Sequence, residues 1–146
     1  MPRFALAALL LSAMGCINQD AHLYEINLHG TVTVPPPLAS SGALHLAFYL
    51  ANRAGEGGLA HPLELFERRV LPVVGMVDEQ VLYPLDIGDG LVIYGYVDSD
   101  GDGTLCARGA APEPAGLTVL ASAPQHELQF QLRLDQLCKG PEALFP

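Results

Sequence analysis

From residue 24 to residue 34 the side chains alternate: Tyr24, Ile26, Leu28, Val32 and Val34 are apolar, and Glu25, Asn27, His29, Thr31 and Thr33 stand between them. A period of two places successive side chains on opposite faces of an extended chain, so this segment is predicted to be a strand with one buried and one wet face. Pro35, Pro36 and Pro37 lack the N–H a ladder needs, and Ser40, Ser41 and Gly42 supply a turn. Beyond the turn Leu44, Leu46, Phe48 and Leu50 again share a face. Residues 51–61, with Gly55, Gly57 and Gly58, read as a loop. In residues 63–74 the apolar Leu63, Phe66 and Val70 have helical spacing, but Pro62 and Pro72 bracket a run short enough for a strand, and strand is preferred.

The second half follows the same plan. Residues 81–85 form a short run, and Ile87, Gly88, Asp89 and Gly90 are turn chemistry leading into residues 91–97, which are apolar on both faces. Such a strand has no solvent side and belongs in the middle of a sheet. Residues 117–121 give another short strand, and residues 126–135 alternate, with Leu128, Phe130, Leu132 and Leu134 inward. About seven short strands separated by Gly and Pro, with no convincing long helix, predict an all-β chain, an antiparallel β-sandwich. With 146 residues, one compact domain is expected. The order of apolar strand, acidic glycine-rich loop and closing strand resembles the transthyretin-like and Cna-B-like sandwiches of bacterial surface proteins.

The N-terminus carries a different signal. Arg3 is a short basic start, residues 4–11 are an unbroken apolar run, and Ser12, Ala13, Met14 and Gly15 lead to Cys16. That is the layout of a secretory signal peptide, and the run is far shorter than the roughly 20 residues of a membrane span. No later segment comes closer, so no part of the mature chain is expected to cross a bilayer. A cysteine directly after Ala13-Met14-Gly15 resembles the lipobox of bacterial lipoproteins, with Ala13 standing where Leu is usual. The resemblance implies cleavage before Cys16 and acylation of that residue. The chain then divides into a signal peptide at 1–15, a lipidated tether at 16–22 and a β-sandwich domain at 23–146. Ile17 after Cys16 lacks the aspartate that retains lipoproteins in the inner membrane, so the resemblance implies the outer membrane of the cell envelope. The alternative is an ordinary cut and a secreted or periplasmic protein with Cys16 free.

Seven Lys plus Arg against sixteen Asp plus Glu give a net charge of −9, which repels a phosphate backbone and argues against nucleic-acid binding. The anchor would hold through buried methylenes, at about 0.8 kcal/mol each, without help from charge. Three cysteines are an odd number for an exported chain. If Cys16 takes lipid, Cys106 and Cys138 remain as a pair in a compartment that permits oxidation, and a bond between them is worth roughly 3 to 4 kcal/mol. Otherwise they are two buried thiols.

One motif carries inorganic chemistry: Asp98-Ser99-Asp100-Gly101-Asp102-Gly103, at the end of the doubly apolar strand. Carboxylates on alternate positions followed by glycine can curl oxygens around a hard cation, and calcium is the natural candidate, with Asp98, Asp100 and Asp102 as ligands and Thr104 offering its carbonyl. The twelfth position is Gly109 where an EF-hand has Glu, and no helices flank the loop, so a full EF-hand is excluded. A calcium loop like those of dockerins or sandwich tips would need another acid: Glu113, Asp86 or Asp89. A metal-free hairpin tip has the same composition.

Catalytic signatures such as G-x-S-x-G, H-E-x-x-H, a phosphate loop or a dinucleotide fingerprint do not occur. His29 and His45 are expected on polar faces, as solvated histidines, and as cross-strand neighbours if the first two strands pair. Ser40 and Ser41 have no partnered base. Tyr94 and Tyr96 are expected in sheet packing. The reading these features favour is a lipid-anchored, non-enzymatic envelope protein, structural or partner-binding, with membrane contact through the lipid and a partner still to be identified in the envelope. The alternative is a small metal-dependent hydrolase or ligand-binding enzyme built on the same acidic loop.

Overall fold

A computed structural model describes residues 22–38, 41–53, 58–85, 90–108 and 111–145. The signal sequence, the lipobox with Cys16, and Ser40, Asp86 and Asp89 lie outside the described residues. Eight strands and one short helix follow in order: β1 Leu23–Thr33, β2 Ala43–Arg53, β3 Leu59–Leu71, β4 Met76–Pro84, β5 Gly90–Asp98, β6 Pro114–Leu120, β7 Glu127–Arg133, β8 Gln136–Leu137 and α1 Pro141–Leu144. They form two packed sheets, one ordered β4-β1-β7 and the other β3-β2-β5-β6-β8. The expected β-sandwich is present, with the two-residue β8 raising the expected strand count. One pairing departs from the antiparallel rule: β1 and β7 run parallel, with Leu28 beside Leu128 and Val32 beside Leu132.

The inner faces are the alternating residues of the sequence. Ile26, Leu28 and Val32 of β1 meet Leu44, Leu46 and Phe48 of β2, Leu91, Ile93 and Val97 of β5, and Leu128, Phe130 and Leu132 of β7 in one cluster. Gly30 falls on the inward phase of β1, and the Phe130 ring lies where a side chain there would go. A single β-carbon at Gly30 would displace that ring.

Two expectations need correction, and the strand preferred for residues 63–74 is present as β3. Residues 51–61 are not all loop, because β2 continues to Arg53 and β3 begins at Leu59. β3 is an edge strand, and an edge tolerates Pro62, whose missing N–H costs no ladder bond on the open side. The helical spacing of Leu63, Phe66 and Val70 comes from register shifts of β3 against β2, one of them between Phe48 and Tyr49. The shift lets Phe66 pack on Phe48 and Tyr83 while Val70 faces solvent. Finally, His29 and His45 are not neighbours. β1 pairs with β4 and β7, and β2 with β3 and β5, so the two histidines sit on different sheets.

The open side of the sandwich, where β3 meets β4, is closed by charge. Arg69 pairs with Glu67 and with Glu79 at 3.3 Å, and it donates to the Gln80 carbonyl at 3.2 Å. Glu67 in turn accepts the edge N–H of Leu82 at 3.3 Å. An engaged edge amide is not free to pair with another chain.

Candidate functional site

The acidic loop leaves β5 at Asp98 and returns through Glu113 into β6. Its tight path requires left-handed backbone at Gly101, φ 79°, and Gly103, φ 75°. Those turns aim amides inward. The Asp98 carboxylate accepts the Gly101 N–H at 2.7 Å and the Gly103 N–H at 2.9 Å. Burial pushes Asp98 up, but these two amides, the His45 ring and the Asp102 N–H outweigh it and hold the carboxyl below the usual aspartate value.

Glu113 organises the base of the loop. It is fully buried, and its carboxylate accepts the Ser99 N–H and the Cys106 N–H, both at 2.7 Å. Its backbone carbonyl accepts the Cys138 N–H at 3.0 Å. Cys106 and Cys138 are joined by a disulfide with a Cα–Cα distance of 5.5 Å. Both take left-handed backbone, φ 48° and 53°, which non-glycine residues rarely adopt. One glutamate therefore holds the amides of both half-cystines while the covalent bond ties the loop to the end of β8.

The carboxylates that converge are Asp98, Asp100 and Glu113, each offering an oxygen within 4.8 Å of the others. Asp102 is turned elsewhere: its carboxylate accepts the Thr104 N–H at 2.7 Å, and Asp100 accepts the Asp102 N–H at 3.1 Å. Of the three acids considered as a further ligand, Glu113 is the one in the cluster; Asp86 and Asp89 fall outside the described residues. At Asp100 the Asp102 N–H favours the charged form, but burial and the charges of Asp102, Glu113 and Asp98 together raise the carboxyl above its usual value. Three anionic oxygens this close form a hard donor set that could hold a metal ion, since each keeps a lone pair beyond its amide bond.

No family profile matches the chain, and none of the curated proteins or solved structures does either.

His45 is not the solvated histidine expected. It is only about one-fifth exposed, stacks on Tyr96 at 4.7 Å between centroids, and faces the Asp98 carboxylate at 3.4 Å. Tyr94 and Tyr96 lie in sheet packing as expected, on the outer face of β5. Their hydroxyls donate to the carbonyls of Lys139 at 3.0 Å and Gly103 at 2.9 Å. Burial pushes the Tyr94 phenol well above its ordinary value, so it stays protonated. Sequence reasoning missed the role of Glu113 as the anchor of both cysteines. An isolated acid before Pro114 has no pattern to mark it, and only the folded loop brings the amides to it.

Proposed function

We propose that this chain is an exported, lipid-anchored β-sandwich of the cell envelope, a non-enzymatic module that binds a partner or ligand and is stiffened at one loop by calcium. The observation that carries the reading is the Cys106–Cys138 disulfide. It fits an oxidising compartment and leaves Cys16, in its lipobox setting, as the remaining cysteine of three. Among the described residues no helix is long and apolar enough to cross a membrane, so a lipid on Cys16 would supply the attachment. The test is fractionation of native cells followed by intact-mass analysis. The expected product begins at Cys16, carries acyl chains and has lost two hydrogens to the disulfide. An unacylated product in the soluble fraction overturns the anchor.

Calcium would be held by Asp98, Asp100 and Glu113, where it would offset the repulsion that raises Asp100. An extracellular site needs a dissociation constant of only about 10⁻⁴ to 10⁻³ M. At about 10 mM calcium, a constant near 1 mM stabilises the fold by about 1.4 kcal/mol, a rise of a few degrees in Tm. Chelation should lower Tm by that amount without unfolding the protein at room temperature. A titration with no calcium heat at millimolar metal removes the cation from the reading.

A further inference from the structure

The outer face of the β3-β2-β5-β6-β8 sheet holds a recess of about 290 Å³. Cross-strand register builds it. Ala47 of β2 stands opposite Arg68 of β3 and opposite Tyr94 of β5. Directly paired antiparallel residues project to the same face, so Arg68, Ala47 and Tyr94 form one row, and the short middle member leaves a dent. His45 and Tyr49 flank Ala47 along β2, while Tyr96 and residues 103–105 of the acidic loop close one end.

The polar groups around the dent are unequal. The hydroxyls of Tyr94 and Tyr96 are taken by backbone carbonyls; Tyr94 is buried and floors the hollow beside Ala47, while the half-buried Tyr96 offers ring surface. The acids nearby are also engaged: Asp98 by Gly101 and Gly103, Glu113 by Ser99 and Cys106, Asp102 by Thr104, and Glu142 by His61 at 2.8 Å. Arg69, the adjacent cation, is spent on Glu67 and Glu79. By contrast the Arg68 guanidinium has no ion-pair partner and the Tyr49 hydroxyl no hydrogen-bond partner among the described residues. In a chain of net charge −9, a guanidinium with no ion pair among the described residues, at the edge of an aromatic hollow, is the group that calls for a ligand.

We infer that this recess binds a small organic carboxylate bearing one flat apolar ring, with the carboxylate on Arg68 and the Tyr49 hydroxyl and the ring over Ala47 against the tyrosine walls. The planar guanidinium matches a planar carboxylate, and a dianion such as phosphate would meet more repulsion from the surrounding acids. The volume suits a single ring, and aromatic walls favour a flat one. The inference gives the proposed module a ligand class, yet it rests on the recess alone and needs neither anchor nor cation.

Benzoate is the probe, with benzyl alcohol as its neutral counterpart and benzylamine as the cationic one. Titration of the disulfide-intact protein, followed by NMR shifts at Ala47, Tyr49 and Tyr94, should give a saturable benzoate Kd on the order of 1 mM, with benzyl alcohol about tenfold weaker and benzylamine weaker still. Arg68→Gln, an exposed change, should bring benzoate down to the level of benzyl alcohol. Ala47→Leu should abolish binding of both by filling the dent, and Tyr49→Phe gives a milder loss should the larger side chain disturb folding. Adding EGTA should change none of these values. No saturable shift with benzoate, equal binding of benzylamine, or an Arg68→Gln variant that binds like the parent overturns the inference, and each result leaves the membrane-fraction test untouched.

Discussion

The two sheets bury their inner faces alike and differ on their outer ones. Outside β4-β1-β7 lies an exposed polar net: His29 sits between Asp78 at 3.0 Å and Glu127 at 2.8 Å, Glu127 also accepts from Asn27 at 2.8 Å, and Gln80 reaches Asn27 at 3.3 Å. Outside the larger sheet, Ala47, Val92, Tyr94 and Ala115 are buried. Ala47 floors the recess, and over its neighbours lie the acidic loop, through Leu105, and the C-terminal segment, whose Leu144 packs beside Tyr94 and Ala115 and whose Phe145 packs on Ala51 and Val92. A strand with one polar face can stand in water by itself, whereas β5 is apolar on both faces and needs the last residues of the chain to complete it.

If the disulfide holds that cover, the largest effect should come from removing it. Cys106→Ser combined with Cys138→Ser should cost about 3 to 4 kcal/mol in denaturant unfolding, with dye binding rising as the outer face of β5 is exposed. Stability lost without any new dye binding would show that the cover stays down unaided. Glu113→Ala comes next, at about 2 to 3 kcal/mol, because it leaves the Ser99 and Cys106 amides without their acceptor, and Glu113→Gln should recover part of that. An alanine variant as stable as the parent would remove Glu113 as the loop's anchor.

A third change addresses the interior that the two sheets share. Gly30→Ala should destabilise by about 2 kcal/mol through displacement of the Phe130 ring, and it should leave the recess and the acidic loop unaltered. The smallest effect belongs to the polar face and depends on pH. The Asn27 amide and the His29 ring hold the Glu127 carboxyl below its ordinary value of 4.5, and they outweigh its slight burial. A depressed folded-state value means that the unfolded chain binds the proton more readily. Its stabilising share is thus fully present above the unfolded value and disappears as pH falls through the folded one. Glu127→Gln should flatten the acid limb of a stability-versus-pH curve below about pH 4.5 and, because it removes that share, lower stability slightly at neutral pH while matching the parent at the acid end. An unchanged acid limb would show that the net is idle.

The strands were legible because burial on one face leaves a period of two that survives in any window of six or seven residues. Leu128, Phe130 and Leu132 show it plainly, and the doubly apolar residues of β5 mark the centre of a sheet. Strand partners were less legible, since the sequence orders strands in time and pairing orders them in space; the separation of His29 from His45 follows from that gap. The acidic loop was half legible. Asp98 and Asp100 stand in a turn motif, but Glu113 joins them only when the chain folds back, and Asp102 leaves them because the Thr104 amide is closer to hand. The recess was not legible at all. It depends on Arg68, Ala47 and Tyr94 landing in one row across three strands, and a register shift of one residue would scatter them to opposite faces.

The side-by-side run of β1 with β7 has a kinetic meaning. Asn27 and Glu127 are separated by 100 positions, so the smaller sheet cannot close until the chain through Arg133 is available, and the entropy of so long a closure makes it a late event. Until residues 127–145 have emerged the sandwich stays open-sided, and that one segment both seals the small sheet and roofs the large one.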